Sequence, residues 1–162
     1  MTAFGPFGKF KDNPSEVVAR MVFGDRVAVL PVSFSAVDEF LDQLPGDATH
    51  LLMLGVSVNA RNLQIERTAR DKIGSLPDID GCVRERAGAW EIQGALFENA
   101  GPTDCWIESF DAGDYLCNYI YYGATRKLSH IKAGFVHLPP FTVLSAALQA
   151  VRLRRLVGQI HE

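Results

Sequence analysis

The chain reads as a three-layer α/β/α sandwich around a mainly parallel, twisted sheet. Three observations predict it. Segments with strand character alternate along the chain with segments of helical spacing. His50-Leu51-Leu52-Met53-Leu54-Gly55 is continuously apolar, as suits a strand buried on both faces. The 162 residues, 48% apolar and 22% charged, suffice for a single domain over residues 1–162 with its own core.

The elements follow in order. Thr2-Ala3-Phe4 is the end of a strand, and a Gly/Pro loop spans residues 5–8. Asn13-Pro14-Ser15-Glu16 opens a helix, with Asn13 at the N-cap, Pro14 at the first helical position and Glu16 placed to reach back to the cap. Residues 26–30 form a strand. Ser33 caps a second helix whose apolar residues Val37, Phe40, Leu41 and Leu44 recur at helical spacing. After the apolar run at residues 50–55, Leu63-Gln64-Ile65-Glu66 alternates as a strand does. Residues 71–99, with Gly and charges scattered through them, show no clear period. Residues 105–108 are a short strand, 114–122 a helix, 133–138 a strand, and 141–157 a last helix with Leu144, Leu148 and Val151 on one face. Arg152, Arg154 and Arg155 near its end complement the helix dipole.

Composition narrows the function. A net charge of −3 gives no reason to expect a nucleic-acid partner. No apolar run approaches the length of a membrane span, and the N-terminus lacks the basic and apolar regions of a secretory signal. Cys82, Cys105 and Cys117 are odd in number and irregular in spacing, so neither a disulfide framework nor a metal site is expected, and no cofactor is implied. Free thiols suit a reduced cytoplasmic protein.

Three side chains could carry chemistry. Ala112 and Gly113 allow a tight turn before a helix that holds Cys117 in its first turn. There the helix dipole and unpaired N–H groups favour a thiolate and offer donors to an oxyanion. On its own, Cys117 better suits a small buried apolar position, and the carboxylate of Asp114 would disfavour the thiolate. His137 ends an apolar strand that Pro139 and Pro140 stop, and strand carboxyl ends are where ligands bind in α/β sheets. A core-edge histidine bonded to backbone is the plainer account of it. His50, His130 and His161 stand at a strand start, in a loop and at the terminus. Glu66 falls on the strand face opposite Leu63 and Ile65, and needs a partner, either Arg67 or a histidine. In the loop Phe4-Gly5-Pro6-Phe7-Gly8, two aromatics on a stiff support could hold a small flat ring, or simply plug the core.

Taken jointly, Phe4-Gly5-Pro6-Phe7-Gly8, Asn13-Pro14-Ser15-Glu16, Ile65-Glu66-Arg67, Ala112-Gly113-Asp114-Tyr115-Leu116-Cys117-Asn118 and Gly134-Phe135-Val136-His137-Leu138-Pro139 resemble the pyroglutamyl peptidase I (pyrrolidone-carboxylate peptidase) family. The resemblance implies a cytosolic cysteine exopeptidase that removes an N-terminal pyroglutamyl residue from peptides. It implies Cys117 as nucleophile, His137 as general base and Glu66 as the group orienting the histidine. It implies Phe4, Phe7, Asn13 and Leu116 at the lactam pocket, a three-layer fold and homo-oligomer formation. Two other readings are a silent relative that binds peptide N-termini or lactams, and a cysteine hydrolase of another small amide.

The chain departs from the family pattern in three places. The first strand is short. Gly74-Ser75-Leu76-Pro77-Asp78 stands where the family carries an active-site arginine, leaving Arg61 or Arg70 to substitute. Residues 81–104 are too few for the family's helix, which predicts one thinner outer layer.

Overall fold

The structure is a computed structural model, and it describes residues 1–160; His161 lies outside the described residues. Its centre is a six-stranded sheet in the order β2-β1-β3-β8-β4-β7. The strands are β1 (Thr2–Phe4), β2 (Ala28–Leu30), β3 (His50–Val56), β4 (Leu63–Glu66), β7 (Trp106–Ser109) and β8 (Lys132–Leu138). β2, β1, β3 and β8 run parallel. β4 pairs antiparallel with β8 and parallel with β7, so the last two strands run the other way.

Alternation along the strands divides the core in two. Leu51, Met53, Ala133 and Phe135 face one layer, built from α2 (Phe34–Asp42) and α3 (Leu116–Lys127). Leu52, Leu54, Val136 and Leu138 face the other, built from α1 (Pro14–Phe23) and α4 (Ala146–Val157). β3 is buried on both faces, as its unbroken apolar run predicts. Each face carries two helices, so the outer layers are evenly matched in helix number.

Several local expectations need correction. Residues 71–99 contain a second, two-stranded antiparallel sheet of β5 (Thr68–Ile73) and β6 (Arg86–Gln93). β6 is exposed along nearly its whole length, so it carries no alternating apolar signal to read. The last helix begins at Ala146. It buries Gln149, Ala150, Leu153 and Leu156, while Leu148 and Val151 are exposed at 41% and 58%. Ser145, whose hydroxyl accepts from the Leu148 N–H, sets that start. Arg154 and Arg155 do sit in the last turn, but the Arg154 guanidinium donates to the Met21 carbonyl and Arg155 reaches Cys105. Ser33 is the N-cap of α2, but its hydroxyl accepts no backbone N–H of the first turn and shares a hydrogen bond with the Ser35 hydroxyl. Its hydroxyl donates to Asp80, and Asp78 accepts the Phe34 N–H instead. Glu16 pairs with Arg20 one turn on rather than reaching back to the Asn13 cap. Among the described residues no helix is long and apolar enough to cross a membrane.

Candidate active site

The parallel strands end together, and their carboxyl ends carry the site. In the β3–β8 register Gly55 lies beside His137. In the antiparallel β4–β8 register Gln64 faces His137 directly and Glu66 faces Phe135, which leaves Glu66 diagonal to the histidine on the same face. The diagonal is closed by a hydrogen bond of 2.7 Å between His137 Nδ1 and Glu66 Oε1. Both groups are buried, at 6% and 2% exposed. Arg67, the other partner open to Glu66, turns away to pair with Glu108 and to donate to the Phe97 and Ala100 carbonyls. The Phe135 ring packs edge-on against the imidazole at 4.9 Å.

Cys117 reaches this pair from α3. Gly113 adopts φ 81°, a turn that favours glycine, and Tyr115 precedes the helix in extended geometry with no side-chain cap. The helix therefore starts at Leu116, two residues later than the residue pattern predicts, and it runs five residues further to Lys127. Cys117 remains in its first turn, where backbone N–H groups have no intrahelical acceptor. Asp114 lies outside the helix and pairs loosely with Lys72.

Two residues without an assigned role in the sequence reading set the position of the sulfur. The first is Gly55: a Cβ there would lie 2.6 Å from Cys117 Sγ and 2.7 Å from the Phe135 ring. Only hydrogen fits between β3 and the thiol. The second is Asn118, buried at 1% exposed. Its side chain accepts from the Arg70 N–H at 2.9 Å and donates to the Arg70 and Lys72 carbonyls at 2.8 Å each. That clamps the start of α3 to β5. A small amide inside an otherwise apolar helix face was the available signal for Asn118, and a lone glycine inside an apolar strand was the signal for Gly55.

The thiol and the acid together set the charge on His137. Burial pulls its pKa down. The facing charge and hydrogen bond of Cys117, then those of Glu66, outweigh burial and push it up to about 10. The geometry thus favours an imidazolium between the sulfur and the carboxylate.

Two spaces open on the sulfur. One is a narrow cavity of about 20 Å³ lined by Phe4, Phe7, Val32, Val56, Tyr115 and Leu116, with Asn13 at its edge. The chain thereby brings Phe4, Phe7, Asn13 and Leu116 around one space that ends on Cys117. The Asn13 amide is occupied in holding the loop: it donates to the Gly5 carbonyl, and its oxygen accepts from Ser15. Ser15 in turn bridges the N–H and carbonyl of Phe4. The other space is an open cleft of about 590 Å³ that reaches Glu66, His137 and Cys117. Asp111 and Asp114 form one wall, and Lys9 is the only lysine or arginine lining it among the described residues. Neither candidate arginine is there. Arg70 pairs with Glu91 and Asp111, and Arg61 lines a neighbouring cleft.

The segment of residues 74–82, which touches the site through Tyr115, is stitched in place. Asp78 accepts the N–H groups of Phe34, Asp80 and Cys82. Tyr115 donates to the Pro77 carbonyl, and the Gly74 N–H donates to the Asp114 carbonyl at 2.6 Å. Cys82, Cys105 and Cys117 are free thiols, and among the described residues no cluster of His, Cys, Asp and Glu could hold a metal ion.

Sequence and overall fold match known proteins. The pyrrolidone-carboxylate peptidase of Thermococcus litoralis is 30% identical over 173 residues, covering 86% of this chain and 74% of its own length. That of Coprothermobacter proteolyticus is 26% identical over 167 residues, covering 86% and 79%. The crystal structure of pyrrolidone carboxyl peptidase from Thermus thermophilus superposes with a TM-score of 0.80 at 28% identity, covering 99% of this chain and 98% of that one. No family model matches the chain. The class is thus an α/β peptidase. More narrowly, the chain belongs to the pyrrolidone-carboxylate peptidase family.

Proposed function

We propose that this chain is a cysteine exopeptidase that removes an N-terminal pyroglutamyl residue from peptides by a Cys117-His137-Glu66 mechanism. One observation carries the reading: the thiol in the first turn of α3, the buried His137–Glu66 pair and the narrow aromatic cavity converge on one point beside Gly55. The names of the relatives supply the substrate class. The aromatic lining suits it chemically, because a lactam is flat and neutral with no charged amine to desolvate, and the ring must widen the cavity of about 20 Å³ to enter.

The steps follow acyl-transfer chemistry. Cys117 attacks the pyroglutamyl carbonyl as a thiolate facing the His137 imidazolium. The oxyanion is held by free backbone N–H groups at the start of α3. His137 gives its proton to the departing amine as the C–N bond breaks, and a thioester remains on Cys117. Neutral His137 then takes a proton from water, which attacks the thioester and releases pyroglutamate. Glu66 holds the ring through Nδ1, so that Nε2 is the atom that trades protons. The peptide is the only partner this mechanism needs, and three free thiols suit the reducing cytoplasm.

The absence of an arginine from the lining of the cleft favours a second reading, a weak or silent relative that binds N-termini or lactams. One experiment separates the two. Pyroglutamyl- and alanyl-aminocoumarin are incubated with the parent and with Cys117→Ala. Release from the pyroglutamyl substrate alone, abolished in the variant, is the expected result. No release, with iodoacetamide labelling Cys117 no faster than Cys82 or Cys105, would establish the silent reading. Release from a different small amide alone would move the substrate and keep the nucleophile.

A further inference from the structure

We propose that a second cleft beyond Lys9 and Phe10 receives the departing peptide and selects for a carboxylate carried past its first residue. This deepens the pyroglutamyl-peptidase reading and rests on it. Three spaces run in series. The narrow aromatic cavity meets the catalytic cleft at Phe7 and Cys117. The catalytic cleft meets the next one, of about 620 Å³, at Lys9, Phe10 and Val58. With the acyl group seated in the cavity and its carbonyl at the sulfur, the chain past the scissile bond has only the open direction to follow. It crosses the catalytic cleft and then the ridge of Lys9 and Phe10.

The ridge is rigid. Phe7 and Phe10 exchange backbone hydrogen bonds of 3.1 and 2.8 Å, and their rings lie 5.6 Å apart. Lys9 Nζ sits 5.6 Å from the centre of the Phe10 ring. Beyond the ridge the unpaired charge is positive. Asp111 and Asp114, which line the catalytic cleft, are paired with Arg70 and Lys72, whereas Lys11 and Arg61 join Lys9 in lining the second cleft against the single acid Asp12. Among the described residues none of these three cations forms an ion pair, while Arg20, Arg67, Arg70, Arg84 and Arg86 are all paired with acids. Pro140 and Phe141 supply an apolar wall for backbone and side chains between the charges. The unpaired cations of the second space draw a carboxylate into it. The cations are exposed, so the preference is modest and salt-sensitive.

The test uses four peptides with the same pyroglutamyl-alanyl start. One is a neutral amide, one bears a glutamate side chain at the next position, one ends there in a free carboxylate, and one bears a lysine there. kcat/KM is measured for each at low and at high salt, with the parent and with the double variant Lys9→Glu, Arg61→Glu. The expected result for the parent is that carboxylate peptides are cleaved about 3- to 10-fold faster than the neutral one and the lysine peptide more slowly, with the spread collapsing at high salt. In the variant the ratio of acidic to lysine peptide inverts. The glutamate and free-carboxylate arms tell whether a side chain or a chain terminus is the source read. Equal rates for all four, or a preference that the charge reversal leaves unchanged, would overturn the proposal while pyroglutamyl-aminocoumarin cleavage stands. Failure to cleave that coumarin substrate would instead sink the peptidase reading and this one with it.

Discussion

Replacing Gly55 with alanine tests whether the site is built around a missing side chain. The added Cβ would lie 2.6 Å from Cys117 Sγ and 2.7 and 3.1 Å from the Phe135 ring, inside any ordinary contact. Neither neighbour yields freely. The Phe135 ring is fully buried, and Cys117 is the residue before Asn118, which is tied to β5. The sulfur must therefore shift by close to an ångström, and a misplacement of about 1 Å at a reacting atom costs on the order of 10²-fold in rate. Overpacking of this kind also destabilises by about 1–3 kcal/mol. For a chain of this length that lowers Tm by about 2–12 °C, which leaves the protein folded at 25 °C. Gly134→Ala is the matched control. Its Cβ would lie 2.6 Å from Leu96 Cβ on the opposite side of the sheet, away from the sulfur. The assay is kcat/KM on pyroglutamyl-aminocoumarin together with thermal melts of both variants. The expected result is that both melt earlier and only Gly55→Ala loses activity by about two orders of magnitude. A Gly55→Ala enzyme within about threefold of the parent, or one no worse than Gly134→Ala, would refute the reasoning.

Other outcomes follow from the same geometry. Glu66→Gln keeps the shape of the His137 contact and removes its charge, so kcat/KM falls by about 10- to 150-fold, matching the ~1.5–3 kcal/mol of a charged hydrogen bond. The raised His137 pKa means that the imidazolium persists until pH passes about 10, so activity falls on the alkaline side there. The variant moves that fall to lower pH, and an unmoved alkaline limb in a pH–rate profile would count against the pairing. The stability that His137 contributes has the same sign: it is fully present below its unfolded pKa of about 6.5 and is lost as pH rises through the folded value. Asn118→Ala removes three hydrogen bonds between α3 and β5, worth about 2–4 kcal/mol together. Its melting temperature drops by about 4–16 °C, and a melt within a degree or two of the parent would show that the clamp is idle.

Much of the site was legible because its chemistry is local. Cys117 after Ala112-Gly113 and His137 before Pro139 each declare a helix start and a strand end within a few residues. β3 declared itself by an unbroken apolar run. What escaped depends on contacts far apart in sequence. Glu66 had two candidate partners, and only the antiparallel register of β4 on β8 decides for His137. β6 is too exposed for a hydrophobic period to form, so the β5–β6 ribbon left no trace. The buried face of α4 was not legible because Leu148 and Val151 are apolar yet face outward, while Gln149 is buried and bonded to the Pro139 and Leu144 carbonyls. Phe34 is capped by Asp78 from 44 residues away, which no spacing rule within the helix can reveal.

The stitched segment at residues 74–82 has a thermodynamic consequence. Asp78 gathers three backbone donors, and Tyr115 ties down Pro77, before any peptide arrives. The freedom of that segment is surrendered once, when the polypeptide folds, and none of it is subtracted again from affinity at each turnover. Occupied and empty forms should then superpose along it to within about 1 Å. Through Tyr115, which lines both spaces at the sulfur, the segment hands that fixity to the site.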